Sequence, residues 1–197
     1  MEPLASVADL EARMGRSLPV DEVGRATSIL SGVSANVRSY TGQSFTEDET
    51  TARLRVKSGR IRFPQRPVTA VVSVESTAGV PLVFTWDAGD TLMLGSAVTA
   101  FDYEPFRTAP TWVDVTYTHG YATTPADVAE VVIAAAARAF GVGSGSEGLA
   151  SQSIDGYSES RTPAAVAGPL GLLAEERKIL DRYRVRGGTV STASVYL

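Results

Sequence analysis

His119 is the only histidine in the chain, and it follows Asp114 closely in the sequence. A hydrolytic triad needs an imidazole that a carboxylate orients and that contacts a nucleophile. The chain has no cysteine, and no serine motif typical of a nucleophile accompanies this histidine. Because Gly120 comes next, the pattern predicts a turn at the end of a strand rather than a catalytic base.

Carboxylates and tryptophans occur together in the middle of the chain, as in proteins that bind or cleave carbohydrates. Two carboxylates can act as acid and base on a glycosidic bond, while Trp86 and Trp112 could stack on sugar rings. The acidic residues are Asp87, Asp90, Asp102 and Glu104. Their spacing in sequence does not fix their separation in space, so solvated turn carboxylates and core tryptophans are the simpler interpretation. A carbohydrate-binding protein stays open as an alternative.

A glycine-rich stretch at 141–148 invites comparison with a phosphate-binding loop. Such a loop follows a strand and ends in Gly-Lys-Ser or Gly-Lys-Thr, whereas this stretch follows a predicted helix and contains no lysine. We therefore predict a flexible linker. With neither a thiolate ligand nor a nucleotide-binding motif, the sequence predicts no cofactor and no enzymatic activity.

The overall charge bears on nucleic acid and membranes. The net charge is −4 and the isoelectric point is about 5.1, whereas proteins that hold nucleic acid tightly usually carry a basic surplus. We therefore expect no specific DNA binding. The sequence shows neither a secretory leader nor a run of about 18 apolar residues. We expect no membrane association, and the lack of cysteine fits folding in a reducing cytoplasm.

Two basic clusters are candidates for contacts with other proteins. The first alternates with apolar residues on both sides of a turn predicted at Ser58–Gly59, so it forms a basic stripe on one predicted hairpin. It consists of Arg53, Arg55, Lys57, Arg60 and Arg62. The second, Arg182, Arg184 and Arg186, lies where the last predicted helix ends and where basic residues favour the helix dipole. A solvated surface is the simpler interpretation of both clusters, and contact with a partner protein is the functional one.

Four helices are predicted around a strand-rich middle. Ser6 and Asp9 form a capping box for the first helix, and Gly15 ends it. The second begins after Pro19 and ends at Gly42. Its apolar residues recur at spacings of three and four, namely Val23, Ala26, Leu30, Val33, Val37 and Tyr40.

The third helix begins at Thr124–Pro125 and is almost wholly apolar through 128–137, so it must be buried in a bundle or between subunits. The fourth spans Leu172–Arg184.

Short apolar strands separated by turns run from Thr51 to Tyr121, which predicts a small antiparallel sheet or barrel. Residues 151–161 predict a hairpin.

The predicted fold class is α+β, with a helical bundle core of about four helices, an inserted antiparallel β domain and an extended C-terminal tail. The core takes residues 1–45 and 122–186, and the β domain takes 46–121. A flexible loop or hairpin occupies 141–170 within the core, and the tail takes 187–197.

Five segments follow one another in a recognisable order. They are Ala5–Arg13, Ser34–Gly42, Pro125–Val128, Ser153–Ser158 and Glu175–Arg184. In this order, and with a glycine- and serine-rich loop before the fourth segment, the chain resembles the head-to-tail adaptor (connector) proteins of siphophages, particularly phages of actinobacteria. The resemblance spans the whole order of the chain, although the strand-rich segment is longer than in small members of that family.

The resemblance implies a structural role in the phage neck. Such adaptors assemble as a ring of about twelve copies, which docks on the portal protein and continues into stopper or tail proteins. DNA passes through the central channel. The protein would be assembled in the host bacterial cytoplasm and would end in the virion. A different neck or tail-completion protein, a stopper or a terminator, is the alternative within the same class.

Three sets of site residues follow from position in the resemblance and from residue type. The portal-binding set is Leu180, Tyr183, Arg184, Arg186, Val195, Tyr196 and Leu197. The set on the loop that faces the channel is Ser151, Ser153, Asp155, Tyr157 and Glu159. The set at the interface between subunits is Arg53, Arg55, Arg62, Val128 and Val132.

Overall fold

The chain is α+β, and its helical core carries an inserted β domain. The structure, a computed structural model, describes residues 2–95, 110–141 and 170–185, together with the backbone of residues 151–154 and 157–160. It divides into two compact units. The helical unit contains 2–41 and Thr124–Arg184, and the β unit contains Gly42–Thr123 with Val185. The chain thus leaves the helical unit after Thr41 and re-enters it at Thr124.

Local sequence signals fix the ends of the first helices. The helices that the structure describes are α1 Val7–Met14, α2 Val20–Thr41, α3 Ala126–Gly141 and α4 Ala174–Leu180. The Ser6 hydroxyl accepts the Asp9 amide N–H, and the Asp9 carboxylate accepts the Ser6 amide N–H, which confirms the predicted capping box. Gly15 follows α1 with φ of +67°, and Gly42 follows α2 with φ of +72°. Glycine adopts this left-handed conformation, which ends a helix, without a steric penalty.

The core of the helical unit is built from the apolar stripe of α2 and from most of α3. Ala26, Leu30, Val33 and Val37 are buried as predicted, whereas Val23 is partly exposed. The buried residues of α3 are Val128, Val131, Val132, Ala135, Ala136, Ala139 and Phe140. The apolar third helix is therefore covered by its own chain.

The fourth helix is shorter than predicted. It begins at Ala174, because the Glu176 carboxylate accepts the Leu173 N–H at 2.7 Å. It ends at Leu180, and the next amides bond three residues back, Tyr183 to the Leu180 carbonyl and Arg184 to the Asp181 carbonyl. These tighter bonds make a turn of residues 181–183, so the predicted extension of the helix to Arg184 is wrong.

The described part of the β unit holds two three-stranded antiparallel sheets. The strands are β1 Asp48–Arg55, β2 Arg60–Arg62, β3 Val68–Ser76, β4 Phe84–Trp86, β5 Thr91–Leu94 and β6 Trp112–His119. Their orders are β1-β6-β3 and β2-β5-β4. The two sheets share one core, in which Ile61 and Leu92 of the second sheet join Leu54, Val115 and Tyr117 of the first.

A two-residue turn connects the two sheets. Ser58 and Gly59 both have positive φ, of 51° and 73°, and Lys57 and Arg60 pair across them. Positive φ at both central positions is the geometry that suits the right-handed twist of a hairpin. The turn predicted from the Ser-Gly pair is therefore confirmed.

A separate hairpin follows the third helix. Strands β7 Ser151–Ile154 and β8 Tyr157–Ser160 pair antiparallel, with Ile154 opposite Tyr157. This confirms the predicted hairpin within 151–161 as far as its backbone is described.

Candidate assembly surfaces

Side chains in and just after α4 contact one residue of α2, Tyr40, and one residue of α3, Asp127. Tyr40, near the end of α2, donates its hydroxyl to the Asp181 carboxylate at 2.7 Å. The guanidinium carbons of Arg184 and Arg177 lie 5.2 and 6.0 Å from the centroid of its ring. The bond to Asp181 raises the pKa of the Tyr40 hydroxyl. A stacked, exposed arginine such as Arg184 retains N–H groups that a partner could use.

Asp127 in the first turn of α3 holds the chain that follows α4. The Tyr183 hydroxyl lies 2.8 and 3.0 Å from its two carboxylate oxygens, and Arg182 Nη1 lies 3.1 Å from Oδ2. These contacts position residues 181–184 against α3. The described chain is therefore attached to α3 shortly after α4 ends.

The structure corrects one residue of the predicted portal-binding set. Leu180 is fully buried in the helical unit and offers no surface to a partner. Tyr183 is half-buried and Arg184 is exposed. The remaining residues of the set, Arg186, Val195, Tyr196 and Leu197, lie outside the described residues.

Two residues of the predicted subunit interface are corrected for the same reason. Val128 and Val132 have no exposed surface in the single chain. Their apolar side chains complete the core of their own helical unit, so no surface remains there for a neighbouring copy. The arginines of this set lie on the β unit and are treated below.

The residues predicted to face a channel belong to the β7–β8 hairpin. Ser151 and Ser153 lie on β7, and Tyr157 and Glu159 lie on β8. Asp155, between the strands, lies outside the described residues. Their role in a channel stays a prediction.

One face of β1 carries a row of charges. Alternate residues of a strand share a face, and on β1 the opposite face carries Leu54 toward the core. The outward row contains Thr51, Arg53 and Arg55, and the alternation continues to Glu47 and Glu49 at one end and Lys57 at the other. All six side chains are exposed. The row is therefore acidic at its start and basic at its end.

Arg53, in the middle of this row, is neutralised within the chain. Its Nε and Nη2 atoms donate to the two Asp114 carboxylate oxygens at 2.8 and 2.9 Å. This paired geometry, directly across β1 and β6, lowers the pKa of Asp114 and raises that of Arg53. Arg53 is thus committed to its own sheet.

The other basic residues of β1, β2 and the segment between them are exposed. Among the residues that the structure describes, no carboxylate lies within ion-pair distance of Arg55, Lys57, Arg60 or Arg62. Arg55 and Arg62 therefore keep their predicted role as candidates for a contact between subunits. The acidic end, Glu47 and Glu49, is not part of the predicted set, although the same alternation continues to it two steps further upstream.

The outer face of the second sheet has two exposed apolar side chains. Met93 is 49% exposed and lies between Arg60 and Thr85 in the strand pairing. Val83 is 65% exposed, and its carbonyl accepts the Gly95 N–H beside it. Val83 directly precedes β4, which begins at Phe84.

His119 is a buried residue at the end of β6. Its Nε2 lies 3.0 Å from the Thr50 hydroxyl, and its Nδ1 has no hydrogen-bond partner among the described residues. Burial lowers the pKa of the imidazole, and the charge of Asp48 partly opposes that shift. Asp114 is held by Arg53 instead. The residues of a triad are therefore not brought together here.

The tryptophans do not form an exposed sugar-binding platform. Trp86 packs partly buried against the core of the β unit, and its indole N–H donates to the Gly89 carbonyl at 2.8 Å. Trp112 is also half-buried. Asp90 is paired with Arg66 at 2.6 Å, and Asp87 is exposed on a turn. Asp102 and Glu104 lie outside the described residues.

The described residues show neither a candidate metal site nor a membrane-spanning helix. Across 2–95, 110–141 and 170–185, the histidine and carboxylate side chains form no group of three or more that could hold a metal ion. No described helix has both the length and the apolar character needed to cross a bilayer.

Comparison with solved structures identifies proteins of the same fold. The chain is similar to a chain of the neck of an empty gene transfer agent (GTA) particle computed with C6 symmetry, with a TM-score of 0.51 and 18% identity over 92% of this chain and 91% of that one. It is similar to a chain of the native neck computed with C12 symmetry, with a TM-score of 0.50 and 18% identity over 92% and 91%.

A third match agrees with these two. It is a chain of the virion of the native gene transfer agent particle, with a TM-score of 0.50 and 19% identity over 92% of this chain and 90% of that one. No protein-family description and no curated protein matches the sequence. The comparisons therefore show a shared fold along nearly the whole chain.

Proposed function

We propose that the chain is a structural subunit of the neck of a tailed, phage-like particle, where it acts as a head-to-tail adaptor. The observation that carries this proposal is the fold shared with neck chains over 92% of the sequence. That agreement includes both the helical core and the inserted β unit, and the order of segments independently resembles adaptor proteins. A siphophage of actinobacteria is the narrower expectation from that resemblance.

A ring is the assembly that this role requires. The neighbouring neck structures were computed with sixfold and twelvefold symmetry, and about twelve copies of this chain is the corresponding expectation. In this arrangement the chain joins the portal above to stopper or tail proteins below. It is assembled in the host cytoplasm and remains in the neck of the virion.

The portal contact is proposed for the end of the chain. Arg184 is exposed beside Tyr40, and Tyr183 anchors the segment on Asp127. Beyond them, Arg186 and the apolar Val195, Tyr196 and Leu197 supply side chains that an extended segment can bury by adding to a partner's sheet. The corrected portal-binding set therefore omits Leu180.

The proposed relation to DNA is passage without specific binding. A net charge of −4 neutralises few phosphates, so DNA could move through the ring without being held. The β7–β8 hairpin, with Ser151, Ser153, Asp155, Tyr157 and Glu159, is the proposed lining of that channel. No catalytic role or cofactor is part of this proposal.

Co-assembly with portal rings tests the proposed function. Purified chain is mixed with portal rings of the same particle, and the mixture is imaged. We expect an added ring on one face of the portal. Portal rings that stay bare in the presence of folded, full-length chain would contradict the adaptor role. Crosslinking in whole particles tests the alternative, because crosslinks to the tail tube alone would indicate a terminator.

A further inference from the structure

We propose that neighbouring copies of the chain meet head to tail through the two ends of the charged row on β1. In this contact Glu47 and Glu49 of one copy face Arg55 and Lys57 of the next. The inference rests on the proposed function, which supplies the ring, and it adds the surface and the direction of the contact.

The geometry of the row separates the two signs of charge. Glu49 and Arg55 lie on the same face of one strand, about 20 Å apart at the usual rise per residue. They are therefore too far apart to neutralise each other. Each end keeps its own field, which a second molecule of the same chain can complement.

The residues in the middle of the row have partners in their own sheet, whereas the described residues offer no charged partner to its ends. The Thr51 hydroxyl bonds to the Thr116 hydroxyl at 2.9 Å, and Arg53 is paired with Asp114. Among the described residues, neither Glu47 nor Glu49 takes part in an ion pair, and the same holds for Arg55 and Lys57. The unpaired charges are thus confined to the two ends.

The basic end also concentrates like charges at a local cost. Lys57 and Arg60 pair directly across the Ser58–Gly59 turn, and like charges opposite each other destabilise a hairpin. A carboxylate from a neighbouring copy would relieve this repulsion. Charged residues on an edge strand also prevent unwanted strand pairing, but that purpose does not require all the acids at one end and all the bases at the other.

The direction of the contact follows from ring closure. A rotational ring needs a heterologous interface, in which one patch of a copy meets a different patch of the next. A row that is acidic at one end and basic at the other supplies two such patches. The same row could also pair antiparallel in a symmetric dimer, so the test must separate the two arrangements.

The absence of cysteine from the chain gives a clean background for crosslinking. Thr118→Cys lies opposite Glu49, and Ser58→Cys lies next to Lys57, so both label an end without changing its charge. The two sites are about 30 Å apart along the strand direction. A short bis-maleimide therefore cannot join them within one copy.

The double-cysteine chain is crosslinked in solution at low salt. We expect a ladder of dimers, trimers and higher species, because each copy offers two different patches. A product that stops at the dimer would indicate the symmetric arrangement and would overturn the proposal. A lack of crosslinking above the level of either single-cysteine chain would overturn it as well.

Charge reversal shows whether the charges cause the contact. Reversing the acidic end with Glu47→Lys and Glu49→Lys, or the basic end with Arg55→Glu and Lys57→Glu, should each lower the yield roughly tenfold. Combining both reversals in one chain should restore it. A combined chain that stays as weak as the single reversals would contradict complementary pairing.

A matched control changes the net charge equally at other exposed positions. Asp87→Lys with Glu175→Lys adds the same charge as the acidic-end reversal, and we expect no loss of crosslinking.

Imaging with portal rings separates this proposal from the proposed function. Decorated portals without the crosslinked ladder would leave the adaptor role and remove this contact. A ladder without decorated portals would leave this contact and remove the adaptor role.

Discussion

Arg138 on α3 donates one hydrogen bond to each carboxylate oxygen of Glu176 on α4, at 2.9 and 3.0 Å. Arg138 also donates to the Gly171 carbonyl at 3.1 Å, and Glu176 accepts the Leu173 amide. A single charged pair thus sets both the start of α4 and its attachment to α3. The residues that follow α4, and with them the proposed portal contact, depend on this attachment.

Removing the arginine of this pair should destabilise the helical unit. In Arg138→Ala the Glu176 carboxylate, whose side chain is only 10% exposed, loses its charged partner while it stays largely buried. We expect a loss of roughly 2 kcal/mol in the free energy of unfolding, measured by urea denaturation. Arg182→Ala is the control, because its pair with Asp127 involves a 62% exposed arginine. Equal effects of the two substitutions would contradict the account.

Gly120 is required by a close approach of the backbone. Its φ is +98°, and a Cβ atom there would lie 2.0 Å from the Thr46 carbonyl oxygen. Gly120→Ala should therefore cost roughly 3 kcal/mol or more in the stability of the β unit, since the clash is with backbone that cannot turn away. Gly89→Ala, where a Cβ would meet open space, should change stability by less than about 0.5 kcal/mol. A tolerated Gly120→Ala would be inconsistent with this geometry.

His119 should make the β unit sensitive to acid. Burial lowers the pKa of the folded imidazole below its ordinary value of 6.5, so the unfolded chain binds the proton more readily. The contribution of neutral, buried His119 to the stability of the β unit is complete above pH 6.5. It is lost as the pH falls from there through the lowered pKa of the imidazole. Thr50 and Tyr117 contact the ring, and the nearby charge of Asp48 favours the protonated form.

Both tryptophans lie in the β unit, so their fluorescence follows its unfolding. We expect the urea midpoint to decline below pH 6.5 and His119→Gln to flatten that decline. The same slope in both proteins would show that another group is responsible.

The sequence predicts features that depend on neighbouring residues. The Ser6 and Asp9 capping box, the ends of α1 at Gly15 and of α2 at Gly42, and the turn at Ser58–Gly59 are all confirmed, because each depends on a few adjacent residues. The charged face of β1 can also be predicted from the sequence, since alternation fixes which side chains of a strand share a face.

Other features depend on contacts that are distant in sequence. Apolar character predicts that Val128, Val132 and Leu180 are buried, but it does not show whether their own chain or a partner covers them. The length of α4 is set by Arg138 and by the turn after Leu180, neither of which a periodic pattern reveals. The division of the strands into two sheets likewise follows from long-range pairing.

Deleting Thr189–Leu197 tests the proposed portal contact. The deletion leaves every described helix and strand intact, so we expect a soluble, folded chain with unchanged far-UV circular dichroism. Incorporation into particles, measured by quantitative mass spectrometry, should fall strongly because the apolar Val195, Tyr196 and Leu197 are lost. Replacing only the polar Thr189 and Ser191 by alanine is the control. Normal incorporation of the truncated chain would refute this role of the tail.

The most direct test of the neck assignment is a cryo-EM reconstruction of the tailed particle that contains this chain. We predict that the helical unit and the β unit fit into a rotationally symmetric ring between the portal and the tail, with about twelve copies. Density for the chain elsewhere in the particle, or a neck ring fully explained by other proteins, would contradict the account.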